Sequence, residues 1–167
     1  KKIRARHLVG LGSQSYGSLI RKKTKSADGV SIIGGGHLAQ EILPWLAKHP
    51  GSVSVLVRNL EKHEQSQQEF AFAQWLDLHH SEALENLQPA VVVAAPMTGV
   101  EITAKLKASP EKPSVVYDLR GEAEDDPISD EFAVETLNQL FSQIQYHRKQ
   151  AEQKISMAKS VISELTK

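Results

Sequence analysis

The sequence predicts an α/β fold, a doubly wound parallel sheet followed by a long C-terminal helix. Short β-branched runs alternate with stretches of helical spacing, which is the pattern of βαβ units with right-handed crossovers. The turn Gly34-Gly35-Gly36 joins the first such run to the first helical stretch. Apolar residues in the last 30 or so positions recur at alternating steps of four and three, the spacing of a heptad seam. A sheet of this kind with a glycine turn after its first strand is Rossmann-type.

Residues 16–23 have helical spacing, and Asp28-Gly29 is a turn signal. Val30-Ser31-Ile32-Ile33 reads as a short buried strand bounded by glycine on both sides. Residues 37–48 read as a helix with Leu38, Ile42, Trp45 and Leu46 on one face. Pro44 has no N–H to bond back to the Gln40 carbonyl, so a bend is expected there. Pro50-Gly51 closes this unit, and residues 53–57 (VSVLV) form the second strand. Residues 60–68 are polar and helix-compatible, 70–76 are expected as a third, weaker strand, and 81–87 as a short helix ended by Pro89. Residues 90–95 (AVVVAA) are apolar at every position, as in a strand covered on both faces. A helix over 102–108, a fifth strand over 114–118 and a loop at Asp125-Asp126-Pro127 complete the domain.

In the tail, Leu137, Phe141, Ile144, Ala151, Ile155, Ala158, Ile162 and Leu165 form one row, interrupted only by Arg148. A helix of roughly 30 residues reaches about 45 Å. It cannot fold back entirely on a small domain, so another helix is expected to cover its seam. The expected organisation is therefore 1–27, the end of a connecting helix or linker; 28–130, the nucleotide-binding domain; and 131–167, a helical dimerisation segment.

Composition narrows the function. The 167 residues carry 20 Lys and Arg against 20 Asp and Glu, so no whole-molecule field draws the chain to nucleic acid or membrane. Two local basic clusters, Lys1, Lys2, Arg4, Arg6 and then Arg21, Lys22, Lys23, Lys25, read as solvated faces. The chain has no cysteine, which excludes disulfides, thiolate zinc sites and a cysteine nucleophile within it. No apolar run approaches the roughly 20 residues that span a bilayer. The basic start lacks the apolar stretch of a signal peptide. No His/Asp/Glu spacing suggests a metal site, and no Ser–His–Asp set can be assigned.

Gly34-Gly35-Gly36-His37-Leu38-Ala39 fits G-x-G-x-x-A. The spacing alone is weak; its place between a buried strand and a helix makes it specific. Gly34 permits the tight turn, Gly36 lets the backbone approach a pyrophosphate, and Ala39 lets helix and strand pack closely. The N–H groups opening the helix, through His37 and Leu38, would then bind phosphate with help from the helix dipole. His37 either donates to that phosphate or is a solvated cap residue. Arg58-Asn59 follow the second strand, where NAD-binding domains place an acid against the ribose hydroxyl. A cation there suits the 2′-phosphate of NADP, the other reading being a surface arginine. Ala95-Pro96-Met97 follow the strongest strand and are expected beside ribose and nicotinamide. Thr98 reads as a turn or helix-cap hydroxyl.

The run 30–59, VSIIGGGHLAQEILPWLAKHPGSVSVLVRN, resembles the NADPH-binding domain of glutamyl-tRNA reductases, which shows strand, G-A-G-E-M-G, helix, second strand and N-R-T. The tail RKQAEQKISMAKSVISEL is similar to the start of that family's dimerisation helix, and Ser13-Gln14-Ser15-Tyr16-Gly17 to the junction from its connecting helix. Shikimate dehydrogenases share the nucleotide-domain features but not this tail. His37 stands where the family has Glu, Ala39 where it has its last Gly, and Arg58-Asn59 reverse its Asn-Arg. Residues after Asp118 follow the family's pattern poorly. The resemblance implies NADPH as cofactor, a cytoplasmic homodimer joined through the C-terminal helix, and reduction of glutamyl-tRNA to glutamate-1-semialdehyde in tetrapyrrole (porphyrin and heme) synthesis. The family's cysteine lies in another domain, so this chain is expected to be an excised central piece, inactive alone; the other readings are a non-catalytic nucleotide-binding dimerisation module and a shikimate-type NADP dehydrogenase domain.

Overall fold

The computed structural model describes residues 15–166. The basic residues Lys1, Lys2, Arg4 and Arg6, and Ser13-Gln14 of the expected junction, lie outside the described residues.

Helix α1 (Tyr16–Thr24) is capped by Ser15, whose hydroxyl accepts from the Ser18 N–H at 3.1 Å. Strand β1 (Gly29–Ile33) is buried along its whole length and leads into α2 (His37–Leu46). That helix contains Pro44 and ends two residues beyond it. Next come β2 (Ser52–Val57), a 3-10 turn (Leu60–His63) and α3 (Glu64–Glu69). Then follow β3 (Gln74–Asp77), α4 (Ser81–Glu85), β4 (Ala90–Val93), α5 (Gly99–Ala108) and β5 (Val115–Asp118). A short β6 (Val134–Thr136) runs directly into α6 (Leu137–Leu165).

The six strands form one sheet in the order β3-β2-β1-β4-β5-β6, and every neighbouring pair is parallel. This is the doubly wound order with its reversal between β1 and β4. Alternate residues of each strand feed two cores. Val30, Ile32, Val55 and Val92 meet α1, α2 and the start of α6 on one face. Ile33, Leu56, Val91 and Val93 meet α4 and α5 on the other. Ser31 and Ser54 sit buried on adjacent strands and satisfy each other, Oγ to Oγ at 2.6 Å. Each large apolar side chain so covered contributes about 1.5–3 kcal/mol.

The third strand differs from its expected span. Phe70 ends α3, and Phe70 and Ala73 are buried in the first core from a turn, so that pairing begins only at Gln74. Their hydrophobicity serves packing, which a strand reading cannot distinguish from pairing. β6 has no counterpart among the expected strands, and it carries the sheet past residue 130. It has three half-buried residues, too short for a periodic signal, and pairs with β5 from Val116↔Val134.

The tail is one helix, opened by a capping box between Thr136 and Gln139. Its apolar row divides. Leu137 and Phe141, with Leu140 between them, are buried in the domain's own core, and Ile144 packs against that core. Ile155, Ile162 and Leu165 are exposed.

Candidate functional site

The sheet order reverses between β1 and β4, and in such sheets ligands bind in the crevice outside the C-terminal ends of the strands at that point. Gly34 stands at its base with φ +115°, a conformation costly for any residue with a Cβ. A Cβ on it would also lie 3.0 Å from the Ala94 carbonyl carbon and the Ala95 nitrogen. The turn is tied to both flanking strands: the Gly34 N–H donates to the Leu56 carbonyl and the Ala94 N–H to the Ile33 carbonyl, each at 2.9 Å. Gly35 is buried against Val57 and His63, whereas a Cβ on Gly36 would meet nothing within 4 Å.

Gly36 is the N-cap of α2, and no side chain caps this helix. Its first N–H groups therefore present partial positive charge to the crevice. His37 is exposed, its side chain 90% accessible and paired with Glu41 at 3.0 Å. Leu38 and Ala39 are buried, so Leu38 can offer a ligand only its main chain. Beyond β2, Arg58 and Asn59 are exposed. The Asn59 carboxamide oxygen accepts from the Lys62 N–H at 3.4 Å and caps the 3-10 turn. Arg58 makes no salt bridge among the described residues.

Across the crevice, Ala95 is half-buried, Pro96 exposed and Met97 buried. Met97's N–H donates to the Ala95 carbonyl at 2.9 Å. Thr98 is a helix cap, as its position in the sequence suggests. Its hydroxyl accepts from the Glu101 N–H at 3.1 Å, and its own N–H donates to Glu101 Oε2 at 2.9 Å. These bonds to Thr98 hold the Glu101 carboxyl below its ordinary pKa, with the positive charge of Arg58 assisting. Arg58 and the N-terminus of α5 thus share one electrostatic neighbourhood.

Sequence reasoning missed the polar group that organises this side. Arg120, just past β5, is 4% exposed, and Asp118, the last residue of β5, is fully buried. Arg120 Nε and Nη2 donate to the two Asp118 carboxylate oxygens at 2.9 and 2.8 Å. Nη1 donates to the Met97 carbonyl at 2.9 Å and to Asp126 Oδ2 at 3.1 Å, and Nη2 to the Asp126 carbonyl at 2.7 Å. All five guanidinium N–H bonds thereby find acceptors. Burial disfavours the cation, but these carboxylates outweigh it and leave the Arg120 pKa raised. Asp126 Oδ2 also accepts from the Gly99 N–H at 2.8 Å. One arginine therefore locks the loop after β4 to the loop after β5. The available signal was Asp118-Leu119-Arg120 at the C-terminal end of a strand, the ligand-facing edge of such a sheet.

Among the described residues no cluster of His, Asp and Glu could hold a metal ion, and no helix is long and apolar enough to cross a membrane.

No family model matches the sequence, and no curated protein matches it. Solved structures share its fold. The nucleotide-binding domain of glutamyl-tRNA reductase from Thermoplasma volcanium aligns at TM-score 0.59 and 17% identity, covering 84% of this chain and 99% of that one. Glutamyl-tRNA reductase from Methanopyrus kandleri aligns at TM-score 0.61 and 15% identity, over 96% of this chain and 45% of that one. Shikimate dehydrogenase from Mycobacterium tuberculosis aligns at TM-score 0.51 and 16% identity, over 74% of this chain and 52% of that one. The chain thus spans under half of the Methanopyrus enzyme, and at these identities the likeness is one of fold.

Proposed function

We propose that the chain is the NADPH-binding domain of an oxidoreductase of the glutamyl-tRNA reductase kind. One observation carries this reading: Gly34-Gly35-Gly36 lies at the sheet's reversal, directly before a helix N-terminus that no side chain caps. The residues present fit a pyrophosphate, because Gly36 leaves open the space a Cβ would take. In this reading Gly34, Gly35 and Gly36 shape the cradle, and the main-chain N–H groups of His37 and Leu38 hold phosphate. Arg58 takes the 2′-phosphate, with Asn59 beside it setting the turn. Ala95 and Pro96 flank the ribose and nicotinamide. Met97 acts through its backbone, held by Arg120.

NADPH, when bound, supplies a hydride. The chain's own residues bind and orient it at the crevice and contribute no acid, base or nucleophile that we assign. The parent protein would reduce glutamyl-tRNA to glutamate-1-semialdehyde in tetrapyrrole synthesis, as a cytoplasmic homodimer joined through α6. Its thiol must come from outside these residues, which contain no cysteine, so this stretch alone would not turn over. Coverage favours the reductase reading over a shikimate-type dehydrogenase. The likeness to the Methanopyrus reductase takes in 96% of the chain, against 74% for the shikimate enzyme.

Titration with NADPH and NADH tests the proposal. NADPH should bind more tightly, and Arg58→Ala should remove roughly a tenfold or greater share of that preference, the effect of one hydrogen bond to a charged group at about 1.5–3 kcal/mol. Equal affinities of the wild-type protein for the two cofactors would overturn the NADP assignment.

A further inference from the structure

A second cavity lies at the other end of α2 from the glycine turn. Between α1 and the end of α2 a groove of about 470 Å³ is lined by Arg21, Lys22, Lys25, Trp45 and Lys48. α2 has ten residues, so about 15 Å of helix separates this groove from the crevice. Its volume lies within the range of small-molecule sites.

Three features distinguish it from ordinary solvated surface. Trp45 is 40% exposed, yet it is held in place. A Cβ on Gly17 would stand 2.0 Å from Trp45 Cδ1, so the indole lies directly on the α1 backbone. The base of the groove is also braced. His49 Nδ1 accepts from the Gly51 N–H at 3.0 Å, leaving Nε2 to donate to the Thr24 carbonyl at 2.8 Å. Finally, the four cations are uncompensated. Among the described residues none of Arg21, Lys22, Lys25 and Lys48 makes a salt bridge. Glu41, one turn before Trp45, is engaged by His37 at 3.0 Å.

We propose that this groove binds a nucleoside triphosphate, its base stacked on Trp45 and its phosphates held by Arg21, Lys22, Lys25 and Lys48. A fixed, half-exposed indole offers a stacking face that accepts any base. Four unpaired cations balance a triphosphate, and the arginine adds a planar fork suited to phosphate oxygens. An apolar partner would leave the charges uncompensated, and a lone phosphate would leave the indole bare. The site is separate from the dinucleotide crevice and does not depend on the reading given to that crevice.

The test is calorimetric titration of the wild-type chain with ATP and GTP, each with and without saturating NADPH. Binding should persist in the presence of NADPH and in Gly36→Val, and should weaken as salt is raised. Lys22→Glu with Lys25→Glu, both at exposed positions on α1 and its end, should weaken it at least tenfold. Trp45→Leu, which keeps an apolar group on Gly17, should weaken it by about tenfold, the scale of one lost stacking contact. Circular dichroism of each variant should match wild type. Absence of binding at millimolar nucleotide, displacement by NADPH, or undiminished binding in the charge-reversed variant would overturn the proposal. So would binding of an oligouridine octamer by a chain that binds neither nucleotide.

Discussion

Arg120 grips Asp118 fork to fork, with Nε 2.9 Å from Oδ1 and Nη2 2.8 Å from Oδ2, and both side chains are almost wholly excluded from water. Among the described residues Arg120 is the salt-bridge partner of Asp118, whereas Arg120 also pairs with the half-exposed Asp126 at 3.1 Å. Removing Asp118 leaves the buried guanidinium with only that weaker, partly solvated carboxylate, and breaking a buried pair of this kind costs up to about 3–5 kcal/mol. Asp118→Ala should therefore lower the urea midpoint of unfolding by a large step. Arg120→Lys should not rescue stability, because an ammonium cannot supply the planar five-donor fork. An Arg120→Lys variant as stable as wild type would mean that the guanidinium geometry is not needed.

Gly34 and Gly36 should respond to substitution in opposite ways. Gly34→Ala forces a side chain into φ +115° and toward the Ala94-Ala95 backbone, so a stability loss of about 1–3 kcal/mol is expected from the strain. Gly36→Val meets open space and should fold with little loss while losing nucleotide binding at the crevice. Thermal unfolding and NADPH titration of the two variants separate these effects. Retained NADPH affinity in folded Gly36→Val would place the phosphates elsewhere.

Glu101 makes the stability of α5 depend on acid. Its bonds with Thr98, helped by Arg58, depress its pKa in the folded state. A carboxyl depressed by folding adds stability above its unfolded pKa and loses that contribution as pH falls through the folded value. The melting-temperature advantage of wild type over Glu101→Gln should thus be present at neutral pH and shrink as pH drops below the ordinary carboxylate range. An advantage that grows on acidification would contradict the assignment.

The outer part of α6 should mediate self-association. Ile155 and Ile162 are 56% and 61% exposed, and each large apolar side chain covered contributes about 1.5–3 kcal/mol before the cost of association. Sedimentation should show a wild-type dimer and an Ile155→Asp monomer whose helix content is unchanged. A wild-type monomer at high concentration, with α6 folded, would exclude this role.

The local chemistry of the sequence determined most elements. β-branched runs between turn residues marked β1, β2, β4 and β5, because such strands are buried on both faces. The glycine turn was legible in its context, and so was the Thr98 cap, because both depend on residues a few positions apart. The heptad row revealed α6 for the same reason, though not which of its residues the domain would claim as core.

Tertiary structure decided what depends on contacts distant in sequence. Phe70 and Ala73 have strand-like hydrophobicity but pack from a turn, since burial rewards apolar area without regard to pairing. β6 exists because β5 offers it an edge, and three residues carry no period of their own. Asp118 reads locally only as the end of the fifth strand, and Arg120 carries no assignment. Only the fold brings Met97 and Asp126 to the same guanidinium, and a buried charge becomes stable only when all its partners arrive together.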